Sequence, residues 1–546
     1  MPKMTGHRYF AEAMKGYDVS HLFYVNTIIP PAMNEIDKIG SVQRVVTHGE
    51  KAAAYMADGY ARASNKVGVC LCQDIGSTNL AAGLRDPFMA GSPVIAISGG
   101  QNDMPRYRHA YQNAEDHAAW DGVTKANYSV DSAARFPDLL RQAFRDATTG
   151  APGPVHLELR GNVGQMLDKE ADYDLTVEQR YTRFPPFRPR AEDTDIKAAL
   201  KALKEAAKPI IVVGGGAVKS LAGAEVVALA DKLQIPIATS LHARALVPDD
   251  HALGVGVPGS YSRWCANKSV AAADLVFFIG SHTGGQVTNG WSIPKIGTRV
   301  IQLDINPNEL GRNYPNTVSM CGDVKATLTD MLAQAGGPTP RAEWLEQCRG
   351  YVADYWAESD PLRDSGDVPI RPERMAKELG EWMPSNAVLV VDTFHAALWT
   401  AQMTKMKAGQ RYIRCGGSLG WGFPGTLGVK AALPGTPVIG FTGDAGFYYH
   451  MAEMETAARC GINAVMVVNN NFSGGVAETA AFQKEVNLTS VANSMGCAGF
   501  RVEKPSDIRN ALDKALACGK PAIVEIIGDA SIRAKRAWAP AGVTGE

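Results

Sequence analysis

Gly443-Asp444 closes the apolar run "TPVIGFT", and Asn469-Asn470-Asn471 closes "AVMVV", with Asp444 and Asn471 27 positions apart. Between them the stretch Met451 to Cys460 has helical spacing and two glutamates, and Gly461 breaks it. If both apolar runs are parallel strands, the two polar ends emerge at the same carboxyl edge of a sheet. That edge is where open α/β sheets bind ligands. One carboxylate and one amide oxygen there suit a hard cation that shares its other sites with phosphate and water, as magnesium does. The plainer reading is an Asp cap at a helix start followed by turn asparagines. The third asparagine leaves the register open by one, so Asn470 stands beside Asn471 as a candidate ligand.

A second acid stands out. In "RVVTHGEKAAAYMADGYAR", residues 44–62, Glu50 ends a strand-like run and opens a helix with an alanine-rich face. A carboxylate at a helix start is favoured as a simple cap in any case. Near the C-terminal motif, "VVDTFHAALW" (390–399) brings Thr393, Phe394 and His395 to another strand-to-helix junction, where they could face phosphate. A lone histidine in such a loop is otherwise a solvated or capping group. "CGGSLGWGFPGTLGVKAALPG" (415–435) is glycine-rich, which tight helix–strand packing also explains.

These residues need a scaffold, and the rest of the chain describes one. At 546 residues it is too long for one core, and roughly 100–200 residues per domain suggests about three. Hydrophobic content of 45% and charged content of 20% are ordinary for a soluble globular protein. The net charge of −1 gives no general reason to expect nucleic acid as a partner. No apolar run reaches ~18 residues, so no membrane span is expected. Nine cysteines lie scattered without metal spacing, which favours reduced thiols and a cytoplasmic location. Cys70-x-Cys72 reads better as two same-face residues of a buried strand.

Short β-rich runs alternate with amphipathic stretches throughout, as in parallel α/β sheets. Strands are expected at "HLFYV", "RVVTH", "VGVCLC", "PVIAIS" and "PVHLEL", then at "PIIVV", "PIATS", "LVFFIGS" and "VIQLD", then at "AVLVV", "PVIGFT", "AVMVV" and "PAIVEII". Proline- and arginine-rich 180–195 and "AQAGGPTPRAEW" read as breaks. The expectation is an α/β chain of three doubly wound parallel-sheet domains: 1–180, 195–335 (Rossmann-like) and 365–546.

With Gly-Asp, the 27-residue spacing and the paired asparagines, the C-terminal stretch resembles the thiamine-diphosphate motif. The segment around Glu50 resembles the "HEAAAxxAAxGYAR" segment of the same superfamily. "DIGSTNLAAGLRDPFMAGSPV" (74–94) and "YQNAEDHAAWDGVTKAN" (111–127) resemble two further family segments. The whole chain is similar to the acetolactate synthase-like, thiamine-diphosphate-dependent enzymes, in the order pyrimidine domain, central domain, diphosphate domain.

The resemblance implies magnesium held by Asp444, Asn471 and the Ser473 backbone carbonyl. It implies diphosphate against Gly443, Ala445, Gly446 and Gly474, with Thr393, Phe394 and His395 beside it. Leu419 would wedge between the cofactor rings, with the Gly417 carbonyl and Leu419 N–H on the pyrimidine edge and Asn79 helping to seat it. Glu50 would share a proton with the pyrimidine nitrogen, and Gln112 would point into the substrate site. Glyoxylate carboligases carry valine where this chain has Glu50.

Departures mark the substrate side. Alanine 445 stands where glycine is usual. "VNTIIPP" (25–31) replaces "YPGG", which puts Asn26, Thr27 and Ile28 beside the reacting carbon, and "FSGGVAETAAF" (472–482) lacks the usual residues after the asparagines. The implied reaction is cleavage or formation of a C–C bond next to a carbonyl, by 2-oxo acid decarboxylation or acyloin carboligation. Alternatives are an oxalyl-CoA or 2-hydroxyacyl-CoA lyase, a benzaldehyde-lyase-like enzyme, or a non-catalytic regulatory member. A homodimer or homotetramer is implied. Many relatives hold FAD, but "GSHTGGQVTNG" (280–290) lacks the charged residues of flavin-keeping members. The expectation is no FAD, without excluding it, and a central domain that is structural or holds an ADP-containing ligand through Gly214 to Gly216.

Overall fold

Three apolar strand sets, each rich in β-branched residues and bounded by turns, form three parallel six-stranded sheets covered by helices. The computed structural model describes residues 3–102, 104–105, 107–112, 114, 117–473 and 481–541. The N-terminal sheet contains His21–Tyr24, Gln43–Val46, Gly68–Cys72, Val94–Gly100, Ala126–Val130 and Val155–Arg160. The central sheet contains Pro209–Val213, Ile237–Thr239, Gly254–Gly256, Leu275–Ile279, Arg299–Asp304 and Val318–Cys321. The C-terminal sheet contains Val388–Val391, Arg411–Arg414, Val438–Gly443, Val465–Asn470, Ala498–Val502 and Ala522–Ile527.

Numbered within each sheet in chain order, the N- and C-terminal sheets share one arrangement, 2-1-3-4-6-5. The central sheet runs 3-2-1-4-5-6, the Rossmann order. The expected strands are present, and Cys70 and Cys72 are both wholly buried in theirs. Five strands were not foreseen in these sheets: Ala126–Val130, Gly254–Gly256, Val318–Cys321, Arg411–Arg414 and Ala498–Val502. Each lies at a sheet edge.

The N- and C-terminal layers meet through the helices that follow their second strands, Glu50–Ser64 and Gly422–Ala432. Their approach is too close for side chains. A Cβ on Gly59 would lie 2.3 Å from the Gly425 carbonyl oxygen, and one on Gly428 would lie 1.9 Å from that of Met56. Around this crossing one core holds Met56, Tyr60 and Leu84 together with Phe423, Leu427 and Met466. On the other side, buried Arg263 donates to the Ala401, Gln402 and Thr404 carbonyls and ties the central layer to the C-terminal one. Among the described residues no helix is long and apolar enough to cross a membrane.

Candidate cofactor site

Glu50 is the first residue of its helix, and Gly49 before it gives no side-chain cap. The carboxylate lies between two elements of the neighbouring strand-to-helix turn. Asn79 Nδ2 donates to Oε2 at 3.4 Å, and a Cβ on Gly76 would sit 2.5 Å from Oε1. Gly76 is thus needed to let the carboxylate in. In the single chain Glu50 is half-buried.

The start of this helix also lies against the segment after Asp444. His48 N donates to Glu453 Oε1 at 3.0 Å, its ring pairs with Glu455 at 2.8 Å, and Lys51 lies over the Tyr449 ring. The His450 ring meets Tyr55 edge-on, and burial lowers its pKa to about 4.

Gly417 and Leu419 are on a loop that is held from two sides. Fully buried Asp86, from the N-terminal layer, accepts three consecutive backbone N–H groups: Gly416 at 2.6 Å, Gly417 at 3.0 Å and Ser418 at 2.9 Å. Arg62 binds Asp86 and Asp58 together and donates to the Arg414 carbonyl at 2.6 Å. Trp421 Nε1 donates to Asp58 Oδ2 at 2.9 Å, and burial raises the Asp58 pKa. From the C-terminal layer itself, buried Asp392 accepts from Thr393 N, Gly420 N, Gly422 N and the Thr442 hydroxyl. Burial pushes Asp392 up to about 6 against these donors. The loop is therefore set before any ligand arrives, with the Leu419 side chain only partly buried.

Asp444 follows the strand Val438–Gly443 directly and opens a short helix. Oδ1 accepts from Ala445 N at 2.7 Å, so alanine serves there as well as glycine would. Oδ2 is buried and has no hydrogen-bond partner. Burial raises this carboxyl, while the backbone N–H groups of Ala445, Phe472, Ser473 and Asn471 act the other way. Those donors place the Asn471–Ser473 turn beside Asp444. The asparagines differ. Asn470 is wholly buried, donating to Glu525 at 2.7 Å and accepting from Phe472 N at 3.3 Å. Asn471 is at the edge, its Oδ1 accepting from Ser473 N and Oγ. An orphaned carboxylate oxygen next to an edge amide oxygen and a backbone turn is a donor set that fits a hard divalent cation. Gly443 and Gly446 flank Asp444. A Cβ on Gly446 would lie 2.6 Å from Asp392 Oδ2, whereas Gly443 has open space around it. Gly474 lies outside the described residues.

Thr393, Phe394 and His395 end the first C-terminal strand at the same edge. Thr393 Oγ1 accepts from Arg414 at 3.4 Å, Phe394 is 45% exposed in a left-handed turn, and burial lowers the His395 pKa. Gln112 is half-buried, its Oε1 accepting from Asn162 at 3.1 Å. Asn26 and Thr27 are exposed at the end of the first strand. Ile28 is a correction. It is wholly buried among Ile29, Ala32 and Met33 in the core beneath the sheet, because the chain turns inward to begin the helix Pro30–Ile39.

The central edge is also explained largely by packing. A Cβ on Gly214 would meet the Gly280 carbonyl oxygen at 2.2 Å, and one on Gly216 would meet Gly280 Cα at 2.8 Å. Two of the three glycines therefore let one turn cross another. Gln286 is engaged by Arg414 at 2.8 Å.

Asp86 and Asp392 were not singled out from the sequence. The only sign of either was its place inside a quoted segment, since a buried carboxylate that accepts backbone N–H groups has no spacing signature.

The comparisons agree with this geometry. The descriptions "Thiamine pyrophosphate enzyme, N-terminal TPP binding domain", "central domain" and "C-terminal TPP binding domain" match residues 4–120, 196–331 and 395–526. A probable acetolactate synthase large subunit of Methanocaldococcus jannaschii is 31% identical over 510 residues, covering 89% of this chain and 85% of the relative. The acetolactate synthase of Mycobacterium bovis is 27% identical over 553 residues, covering 96% and 88%. The glyoxylate carboligase of Escherichia coli O157:H7 is 29% identical over 537 residues, covering 91% and 88%. The chain belongs to the thiamine pyrophosphate enzymes, in their acetolactate synthase-like group. Its chemistry is thiamine pyrophosphate-dependent carboligation or decarboxylation, at a C–C bond next to a carbonyl.

Proposed function

We propose that the protein decarboxylates a 2-oxo acid and passes the acyl unit to a second carbonyl, a transferase-type carboligation, with magnesium bridging the cofactor's diphosphate to the chain. Thiamine pyrophosphate, when bound, supplies a carbon nucleophile and a sink for the electrons released at the substrate carbonyl. Asp444, Asn471 and the Ser473 carbonyl would hold the metal, and the helix start at Asp444 to Gly446 would hold phosphate oxygens. Gly417, Leu419 and Asn79 would orient the pyrimidine, and Glu50 would exchange a proton with its ring nitrogen. Gln112, Asn26 and Thr27 would face the substrate.

The observation that carries this reading is the open Oδ2 of Asp444 beside Asn471, in a chain that also presents Glu50 at a helix start. We further propose a homodimer, in which the Glu50 edge of one chain faces the Asp444 edge of its neighbour. Nine unpaired thiols support a reducing compartment, the cytoplasm. The test is turnover of a panel of 2-oxo acids and acyl-CoAs, following carbon dioxide release and the acyloin product. Turnover of acyl-CoAs alone would favour the CoA-lyase alternative. A monomeric mass by light scattering, with activity intact, would remove the dimer.

A further inference from the structure

Away from the cofactor site, a cavity of about 250 Å³ opens where the three layers join. Its wall includes Gly91 of the N-terminal layer, Lys219 and His242 of the central layer, and Arg411 and Arg414 of the C-terminal layer. The charges on this wall do not balance. Arg62, also in the wall, is fully answered by Asp58 and Asp86. The other three cations have no carboxylate within ion-pair distance among the described residues. Arg411 donates to the Ala63 and Arg62 carbonyls, at 3.1 Å and 3.2 Å. Arg414 is 1% exposed, donates to Gln286 and Thr393 and lies over the Tyr261 ring, and its Nε is buried without an acceptor. Lys219 forms no hydrogen bond or ion pair among the described residues, and its amine lies 2.8 Å from where a Cβ on Gly91 would be.

Burial lowers the Lys219 pKa to about 8, with Arg62 adding to the effect and Asp304 and Asp58 opposing it. Burial likewise pushes His242 well below its ordinary value, so it is neutral and adds no charge. Asp304 lines, together with Lys219, a neighbouring cavity of about 60 Å³, and the two form no ion pair. Taking an ion out of water costs several kcal/mol unless a counter-charge answers it. Three such cations around open space, with Val218, Leu246 and Ile413 among the apolar residues of the wall, are what an amphiphilic anion would satisfy.

We propose that this junction cavity binds a small organic anion, a carboxylate or phosphate on a short apolar body, at a site separate from the cofactor. The volume is below the ~300–1,000 Å³ of pockets for drug-sized ligands, so a metabolite fits and a dinucleotide does not. Arg411 and Arg414 are on the strand that leads into the 415–420 loop, so the bound anion braces the loop that presents Gly417 and Leu419. The inference does not rest on the reaction assigned above.

Calorimetry on the protein loaded with thiamine pyrophosphate and magnesium tests it, with three probes: inorganic phosphate, ADP and 2-methylpropanoate, a carboxylate that cannot be turned over as a 2-oxo acid. At least one should bind with Kd of about 1 mM or tighter. Lys219→Met should weaken it about tenfold or more, as expected for losing a charged hydrogen-bond donor, and Lys219→Arg should restore it. Binding by the phosphates or by the carboxylate identifies the class. No heat with any probe at about 10 mM, or equal affinity in Lys219→Met, overturns the proposal. Without ligand, Lys219→Met should melt at or above the wild-type temperature, because an unanswered charge is gone. A lower melting temperature would mean that the amine already has its partner, and would also overturn it.

Discussion

After its third strand the N-terminal sheet places Asp74, and after its fourth it places Gln101. The C-terminal sheet, with the same strand order, places Asp444 and Asn471 at the corresponding points. Both carboxylates are buried. In the N-terminal corner, Asp74 Oδ2 accepts from Gln101 Nε2 and from Ala114 N, each at 3.3 Å. In the C-terminal corner, Asp444 Oδ2 accepts nothing, and the Asn471 oxygen faces Ser473. A shared topology thus builds the same crevice twice. One is closed by its own amide donors, and the other keeps an acceptor that only a cation or an outside donor can answer. Strand order makes the corner; the orientation of one carboxamide decides whether it is a site.

The largest expected effect separates the two corners. Asp444→Ala should lose thiamine pyrophosphate at ordinary magnesium concentrations, because the diphosphate needs the cation as a bridge, while Asp74→Ala should retain it. Calorimetry of both variants is decisive, and equal retention would move the metal elsewhere. Next, Glu50→Gln should keep cofactor and fold yet lose roughly 10²–10⁴-fold in activity, the range of general acid–base steps. Full turnover would remove Glu50 from the mechanism.

A smaller effect concerns the bridge between the sheets. Asp86→Asn leaves Arg62 with one carboxylate fewer and weakens the hold on Gly416 to Ser418, so about 3 kcal/mol of stability should be lost, together with cofactor affinity. Denaturant unfolding and cofactor titration measure the two, and an unchanged cofactor affinity would make Asp86 a purely structural residue. Gly428→Ala should cost about 1–3 kcal/mol by forcing the paired helices apart. Gly435→Ala, which meets nothing within 4 Å, is its control. The smallest effect is expected at the N-terminal edge, where Thr27→Gly should change preference among 2-oxo acids and leave cofactor affinity alone. A shift in cofactor affinity would move Thr27 from the substrate wall into the cofactor site.

The sequence alone determined the strands that are buried on both faces, because continuous runs such as "VGVCLC" and "PIIVV" have no solvated face to interrupt them. It also singled out Asp444 and Asn471 as polar residues at the ends of such runs, and Glu50 as the acid opening the helix after the half-exposed edge strand Gln43–Val46. The edge strands were a different matter. Arg411–Arg414 ("RYIR") and Ala498–Val502 ("AGFRV") lie at sheet edges and mix polar with apolar residues, so neither reads as a continuous apolar run. Their pairing is set by the neighbouring strand, not by their own pattern.

Tertiary structure alone decided that Asp86 would hold three N–H groups more than 300 residues away in the chain, at 416, 417 and 418. It alone turned Ile28 into the core, gave Asn470 to Glu525 while leaving Asn471 at the edge, and left Lys219, Arg411 and Arg414 around one cavity without a carboxylate partner among the described residues. Each of these depends on which donor and acceptor reach each other across layers. Local spacing carries no record of that distance.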